Sequence, residues 1–191
     1  MRKLKLQVQM SVDGFISGPN GEMDWMVWDW DNELKQYVEE ITEPVDCIVL
    51  GRKLAHGFIP HWAANTELEG AGKINSTKKV VFTKTLDKSD PEVGSWENTD
   101  LAKGDLAEEI IKLKKQDGKD IIAYGGAAFV SSLIQHGLIN EYHLFINPTA
   151  IGAGMSIFKE LKSYLNLTLV KSKSYQCGIT VVYYERNKTD N

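Results

Sequence analysis

Three short stretches of this chain combine backbone and side chains suited to holding an anion. Gly125-Gly126 follows the apolar run Asp120-Ile121-Ile122-Ala123-Tyr124 and precedes a helical pattern with Phe129, Val130, Leu133 and Ile134 on one face. Paired glycines let a phosphate approach the backbone closely, and the free N–H groups of a helix opening at Ala127 point at it along the favourable end of the dipole. The same glycines also suit a tight turn that needs positive φ. Gly51-Arg52-Lys53 closes a second apolar run, Asp46 to Leu50. Its cations read either as a second phosphate corner or as solvated charges. Thr83-Lys84 ends a third run, Val80-Val81-Phe82, and sets a hydroxyl beside a cation.

Carboxylates and tryptophans form the other group. Asp13 lies in the glycine- and proline-punctuated loop Ser11 to Gly21, and loops of this length tend to be lids or binding loops. Asp13 reads as a carboxylate that orients substrate or handles a proton, or as an Asx turn with Gly14. Trp25, Trp28 and Trp30 are three of the five tryptophans, flanked by Asp24, Asp31 and Glu33. Such density builds core, or it walls a pocket for a flat heterocycle with acids at its edge.

The elements that must position these residues follow from periodicity. Leu4, Leu6, Val8 and Met10 alternate with Lys3, Lys5, Gln7 and Gln9, the pattern of a half-buried strand. Asp31 or Asn32 caps a helix through Leu34, Val38 and Ile41 that ends before Pro44. Asp46–Leu50, Lys79–Thr83, Asp120–Tyr124 and Glu141–Ile146 read as strands, and a helix with Leu106, Ile110 and Leu113 on one face starts near Asp105. Asp87 to Asp100 reads as loop with a short strand near Val93 to Trp96, and Ile151-Gly152-Ala153-Gly154-Met155 as a flexible connector. Leu167 to Ser174 and Ile179 to Arg186 form a hairpin around Gln176-Cys177-Gly178. Alternating strands and helices finished by a hairpin imply an α/β fold with a largely parallel sheet and an antiparallel edge. Residues 1–186 read as one domain and 187–191 as a polar, frayed tail.

In a sheet of this kind ligands sit beyond the carboxyl ends of the strands. Gly51-Arg52, Thr83-Lys84 and Gly125-Gly126 share that location. The convergence suggests a dinucleotide site: the Gly-Gly helix start takes the pyrophosphate, Arg52 assists, and Thr83-Lys84 meets a ribose 2′-phosphate. That favours NADPH over NADH. No GxGxxG motif is present, which argues against an ordinary Rossmann domain.

Composition bounds the partners. The 191 residues carry a net charge of −4, 42% hydrophobic and 25% charged residues. That is ordinary for a globular protein and gives no basic face for nucleic acid or for an acidic membrane surface. The absence of a long apolar run or a signal-peptide pattern points to a cytoplasmic protein with Cys47 and Cys177 as reduced thiols. His56, His61, His136 and His143 lack ligand spacing, so no metal is expected.

Seven motifs in order span nearly the whole chain: Ser11-Val12-Asp13-Gly14-Phe15-Ile16, Asp24-Trp25, Leu50-Gly51-Arg52-Lys53, Val81-Phe82-Thr83-Lys84, Tyr124-Gly125-Gly126-Ala127, Leu138-Ile139-Asn140-Glu141 and Pro148…Gly152-Ala153-Gly154…Ile157-Phe158. Together they resemble the dihydrofolate-reductase-like proteins, which share a domain with the reductase half of the bifunctional riboflavin-pathway deaminase–reductase. The resemblance implies a three-layer fold with a mostly parallel sheet of about eight strands. It implies NADPH held by Ile16, Gly51, Arg52, Lys53, Thr83, Lys84, Tyr124, Gly125, Gly126 and Ala127, often with a cis peptide between the glycines, and a homodimer. It also implies hydride transfer to a small heterocycle, a pterin or the pyrimidine ribosylamine of riboflavin biosynthesis. Asp13, Trp25 and Asp31 are the expected catalytic set, with Asp24 or Glu33 as alternatives to Asp31 for the second acid. The alternative is a nucleotide-binding module of the same fold without turnover. Two departures stand out. Leu54 replaces the hydroxyl of the family's Gly-Arg-Lys-Thr-Tyr corner. Ala55-His56-Gly57-Phe58-Ile59-Pro60-His61-Trp62 replaces an Asp-Pro-x-Leu-x-x-Arg segment associated with a phosphoribosyl substrate.

Overall fold

A computed structural model describes residues 1–187. The elements run β1 (Leu4–Met10), α1 (Asn32–Thr42), β2 (Val45–Gly51), α2 (Arg52–Ala64), α3 (Ala71–Ser76), β3 (Lys78–Phe82), α4 (Pro91–Gly94) and β4 (Thr99–Ala102). They continue α5 (Leu106–Lys115), β5 (Asp120–Ala123), α6 (Ala127–Gln135), β6 (Glu141–Ile146), β7 (Leu167–Ser174) and β8 (Thr180–Arg186). One eight-stranded sheet has the order β4-β3-β2-β5-β1-β6-β8-β7. Its first six strands in that order are parallel, and β8 and β7 add an antiparallel hairpin against β6. This is the α/β architecture expected, hairpin included.

Alternation along each strand sorts side chains onto two faces. Leu4, Leu6, Val8, Cys47, Val49, Ile121, Ala123, Tyr142 and Leu144 turn to α5 and α6 and join Ile110, Leu113, Val130, Leu133 and Ile134 in a continuous core. The other face carries two separate clusters. One lies under α2 to α4 around Ile48, Leu50, Val81, Ile122 and Ile59. The second lies under α1 around Leu34, Tyr37, Ile41, Phe145 and Val181. Between them runs β1 with Lys5, Gln7 and Gln9.

Several local expectations are corrected. β1 is not half-buried but the covered centre of the sheet, with Lys5 at 5% and Gln7 at 8% exposure. The segment near Val93 is the short helix α4, capped by the Asp90 side chain on the Glu92 amide, and the strand follows it at β4. The Ile151–Met155 connector is bonded in place: Ile16 N donates to Met155 O and Met155 N to Ser17 O, both at 2.9 Å. No peptide bond among the described residues is cis, and Gly125 and Gly126 meet the turn through φ of 148° and 81°. The tail Lys188 to Asn191 lies outside the described residues.

Candidate functional site

Adjacent strands β2 and β5 hand over to helices on opposite faces of the sheet. Such a switch point opens a crevice at the carboxyl edge. β2 passes through Gly51 into α2, and β5 passes through Tyr124-Gly125-Gly126 into α6. The two helix starts nearly touch. A Cβ built on Gly51 would stand 2.7 Å from Phe129 Cβ, and one on Gly126 3.7 Å from Leu54 Cβ. Glycine is therefore needed at position 51 by close approach and at 126 by its positive φ.

Capping separates these helices from the rest. Asp31, Asp90 and Asp105 accept hydrogen bonds from the first-turn amides of α1, α4 and α5. α2 and α6 begin on Gly51 and Gly126 with no side-chain cap, as does the six-residue α3 on Gly70. Uncapped N-terminal amides carry the positive end of the dipole. Two such ends side by side present unpaired amides that suit an anion. Arg52 and Lys53 stand exposed in the first turn of α2.

The remaining residues expected at a cofactor follow the carboxyl ends of β1, β3 and β5. Thr83, 7% exposed, accepts the amides of Thr85 and Leu86 at 3.1 and 3.0 Å, which leaves its hydroxyl hydrogen to donate outward. Lys84 is exposed, and its ammonium is steadied by the carbonyls of Lys103 and Gly104 at 2.8 and 2.7 Å. Tyr124 stacks on Phe58 with centroids 5.5 Å apart. Ala127 is the first residue of α6, and Ile16 is 9% exposed in the large core. Leu54, where a hydroxyl was expected, lies against both glycines.

The carboxylates are held otherwise than as free acids. Asp13 accepts from Ser11 Oγ at 2.6 Å, Gly152 N at 2.7 Å and Ile151 N at 3.1 Å. The Ser11 hydroxyl, then the two amides, hold its carboxyl below the ordinary range. Asp31 accepts from Cys177 N and Leu34 N, both at 3.0 Å, and these bonds likewise lower its carboxyl. Asp13 thus clamps the loop after β1 to the 149–155 segment, and Asp31 ties α1 to the β7–β8 turn. Trp25 is half-buried and donates to Glu22 O at 3.2 Å. Trp30 joins the cluster under α1, 6.0 Å from Phe145, while Trp28 is 61% exposed.

A buried polar network lies beneath α1. His143 meets Tyr37 Oη at 2.7 Å and Glu141 at 3.4 Å, and it stacks on Tyr183 at 4.4 Å. Lys3 and Lys5 approach Glu141 at 2.6 and 4.0 Å, and Lys5 reaches Asp120 at 3.1 Å. Burial opposes ionisation of Glu141, but the His143 bond and the two ammoniums overcome it and hold its carboxyl at about 2. Gln7 belongs to this floor, and the alternation of β1 misplaces it among solvent-facing residues.

A cleft of about 470 Å³ opens elsewhere, between β4 and α5. Its charges largely satisfy one another, as in Lys78–Asp100 and Lys103–Asp87 at 2.9 Å. Among the described residues no group of His, Cys, Asp and Glu is placed to hold a metal, and no helix is long and apolar enough to cross a membrane.

Comparison with known proteins agrees with this architecture. The model of the RibD C-terminal domain matches residues 2–181. The Bacillus subtilis (strain 168) protein YyaP is 34% identical over 190 residues, covering 97% of this chain and 96% of its own. The fold is shared with a deaminase/5-amino-6-(5-phosphoribosylamino)uracil reductase of Thermotoga maritima (TM-score 0.69, 15% identity, 97% of this chain and 57% of that one). It is shared also with the Enterococcus faecalis dihydrofolate reductase complexed with NADP(H) and RAB-propyl (TM-score 0.64, 16% identity, 97% of both chains).

Proposed function

The chain belongs to the RibD C-terminal domain family, and from that premise we propose that it is an NADPH-dependent reductase acting on a small nitrogen heterocycle, a pterin or a riboflavin-pathway pyrimidine. The observation that carries this reading is the pair of adjacent, uncapped helix starts at Gly51 and Gly126, with Arg52 and Lys53 beside them. The donor set fits the cofactor. Amides of α2 and α6 and the Arg52 guanidinium would hold the pyrophosphate, and Thr83 and Lys84 the 2′-phosphate. Bound NADPH supplies the hydride.

The chain's own part is positioning. Asp13 fixes the loop that carries Ile16 against the 149–155 segment, Asp31 fixes the start of α1, and Trp25 walls the approach. Both carboxyls are held low, so at neutral pH neither stores a proton for transfer, and the proton reaches the product from solvent. That same observation favours the second reading, a nucleotide-binding module without turnover. Residues 1–186 would act as one reductase unit, cytoplasmic and homodimeric.

Fluorescence titration tests the reading. NADPH quenches tryptophan emission with at least about tenfold higher affinity than NADH if Thr83 and Lys84 read the 2′-phosphate. Equal affinities remove that assignment, and no binding of either removes the reductase. A panel of dihydropterins and diaminopyrimidines then separates turnover from binding alone, by loss of NADPH absorbance.

A further inference from the structure

We propose that Gln7 reads the substrate, its carboxamide pairing with the lactam or imide edge of a neutral heterocycle bound beside the Gly125-Gly126 turn. This rests on the reductase reading of the site.

Gln7 is more than nine-tenths buried, and its Oε1 is shielded from solvent with no hydrogen-bond partner. The other polar residues of its row are satisfied. Lys5 donates to Ile41 O at 3.2 Å and pairs with Asp120, and Gln9 Oε1 accepts from Asn147 Nδ2 at 2.7 Å. On one side, register places Gln7 next to His143, whose two ring nitrogens are engaged by Tyr37 and Glu141. On the other, the pairing of Lys5 with Ile122 and Leu6 with Ala123 brings Gln7 alongside Tyr124, the residue before the glycine turn. An unpaired amide in the middle of a sheet is disfavoured, and a position of this kind calls for an explanation. Here the fold places it one strand from the corner that would hold the NADPH pyrophosphate.

The chemistry of the group defines what it would take. Oε1 needs a donor, and Nε2 offers two hydrogens to an acceptor. A cis-lactam, with N–H and C=O side by side, satisfies both at once. A carboxylate or phosphate offers Oε1 no donor and would face the Glu141 and Asp120 carboxylates on the same floor. No arginine stands in Ala55–Trp62 to attract one. A site built to bond such an edge rejects an analogue that lacks it.

The test uses the full chain saturated with NADPH and two pteridinediones, lumazine and 1,3-dimethyllumazine, the second lacking both N–H donors. Calorimetric titration is expected to show lumazine bound at least 30-fold more tightly. In Gln7→Met the two ligands come within threefold of each other, NADPH affinity is unchanged, and the thermal midpoint stays level or rises because an unpaired amide has gone. Equal affinities in the wild type, discrimination surviving in Gln7→Met, or no binding of either ligand overturns the proposal. A drop in midpoint in Gln7→Met assigns the amide to the protein's internal network and overturns it too. Loss of the reductase reading is separate, since it shows first as failure to bind NADPH.

Discussion

The two faces of the sheet are built to different standards. Under α5 and α6 the side chains of all the central strands merge into one apolar core. Under α1 and α2 the apolar surface divides at β1, the middle of the sheet, where Lys5, Gln7 and Gln9 replace the hydrophobes. Close packing on the first face fixes the strand order, and so fixes Gly51 and Gly125 side by side. The second face carries buried charge and an unsatisfied amide in the gap between its two apolar clusters. Continuous apolar packing and buried polar groups are divided between opposite sides of the same strands.

The largest expected effect tests that division. Leu133, fully buried on α6, should lose about 3 kcal/mol on change to alanine, from transfer and cavity terms together. Leu54, half-buried beside the glycine turn, should lose about 1 kcal/mol in the same change. Denaturant titration of the two variants measures both. Similar losses would mean that the faces share the load and that the contrast is one of appearance.

Acid should find the polar face first. Glu141 titrates at about 2 in the fold against 4.5 for the free side chain. Its contribution is therefore present above the unfolded value and is lost as pH falls from about 4.5 towards 2. The expected loss is on the order of 2 kcal/mol. Glu141→Gln should be less stable at pH 7 and flatter across that acid window. Parallel wild-type and variant profiles from pH 6 to 2.5 would remove the network from the account of stability.

How much of this was legible in the sequence depended on how local the cause was. β1, the Asp31 cap, the helix start near Asp105 and the C-terminal hairpin are set by neighbours in sequence, and periodicity and capping signals find them. α2 is hidden because Gly57 and Pro60 interrupt it, and it persists because Ala55 and Ile59 are buried under it. The role of β1's polar row was unreadable for a different reason. Alternation says which residues share a face but not whether water or a helix covers that face. Only the sheet order, with β5 and β6 on either side, turns Gln7 inward. Likewise Ile151 to Met155 looks mobile by its glycines, yet a Cβ at Gly154 would stand 2.3 Å from Ser17 O, so one of those glycines serves close packing.

The boundary between the two faces offers a sharper cut. Gly51 lies where α6, from the sealed side, touches the start of α2 on the other. An added methyl at Gly51→Ala meets Phe129 Cβ, a neighbour fixed by its own helix, so overpacking should destabilise by about 1–2 kcal/mol. If the helix starts form one cradle, NADPH affinity should fall along with stability, because moving α6 moves its amides. Stability lost with affinity intact would uncouple the glycine corner from the cofactor.

The smallest effect on the fold should be the most telling for the site. Arg52 is exposed in the first turn of α2, a position where a cation opposes the helix dipole rather than complementing it. Among the described residues it makes no ion pair or side-chain hydrogen bond that would offset this. Its removal in Arg52→Ala should therefore leave the thermal midpoint level or slightly raised. With a diphosphate at the helix start the sign reverses, since the guanidinium then meets an anion at short range. NADPH affinity should fall about tenfold, some 1.4 kcal/mol, and the difference should shrink as salt rises. A variant that binds NADPH as well as the wild type would leave the uncapped amides to hold the pyrophosphate alone. A variant with a clearly lowered midpoint would show that Arg52 serves the fold, and that the division between the faces does not extend to this corner.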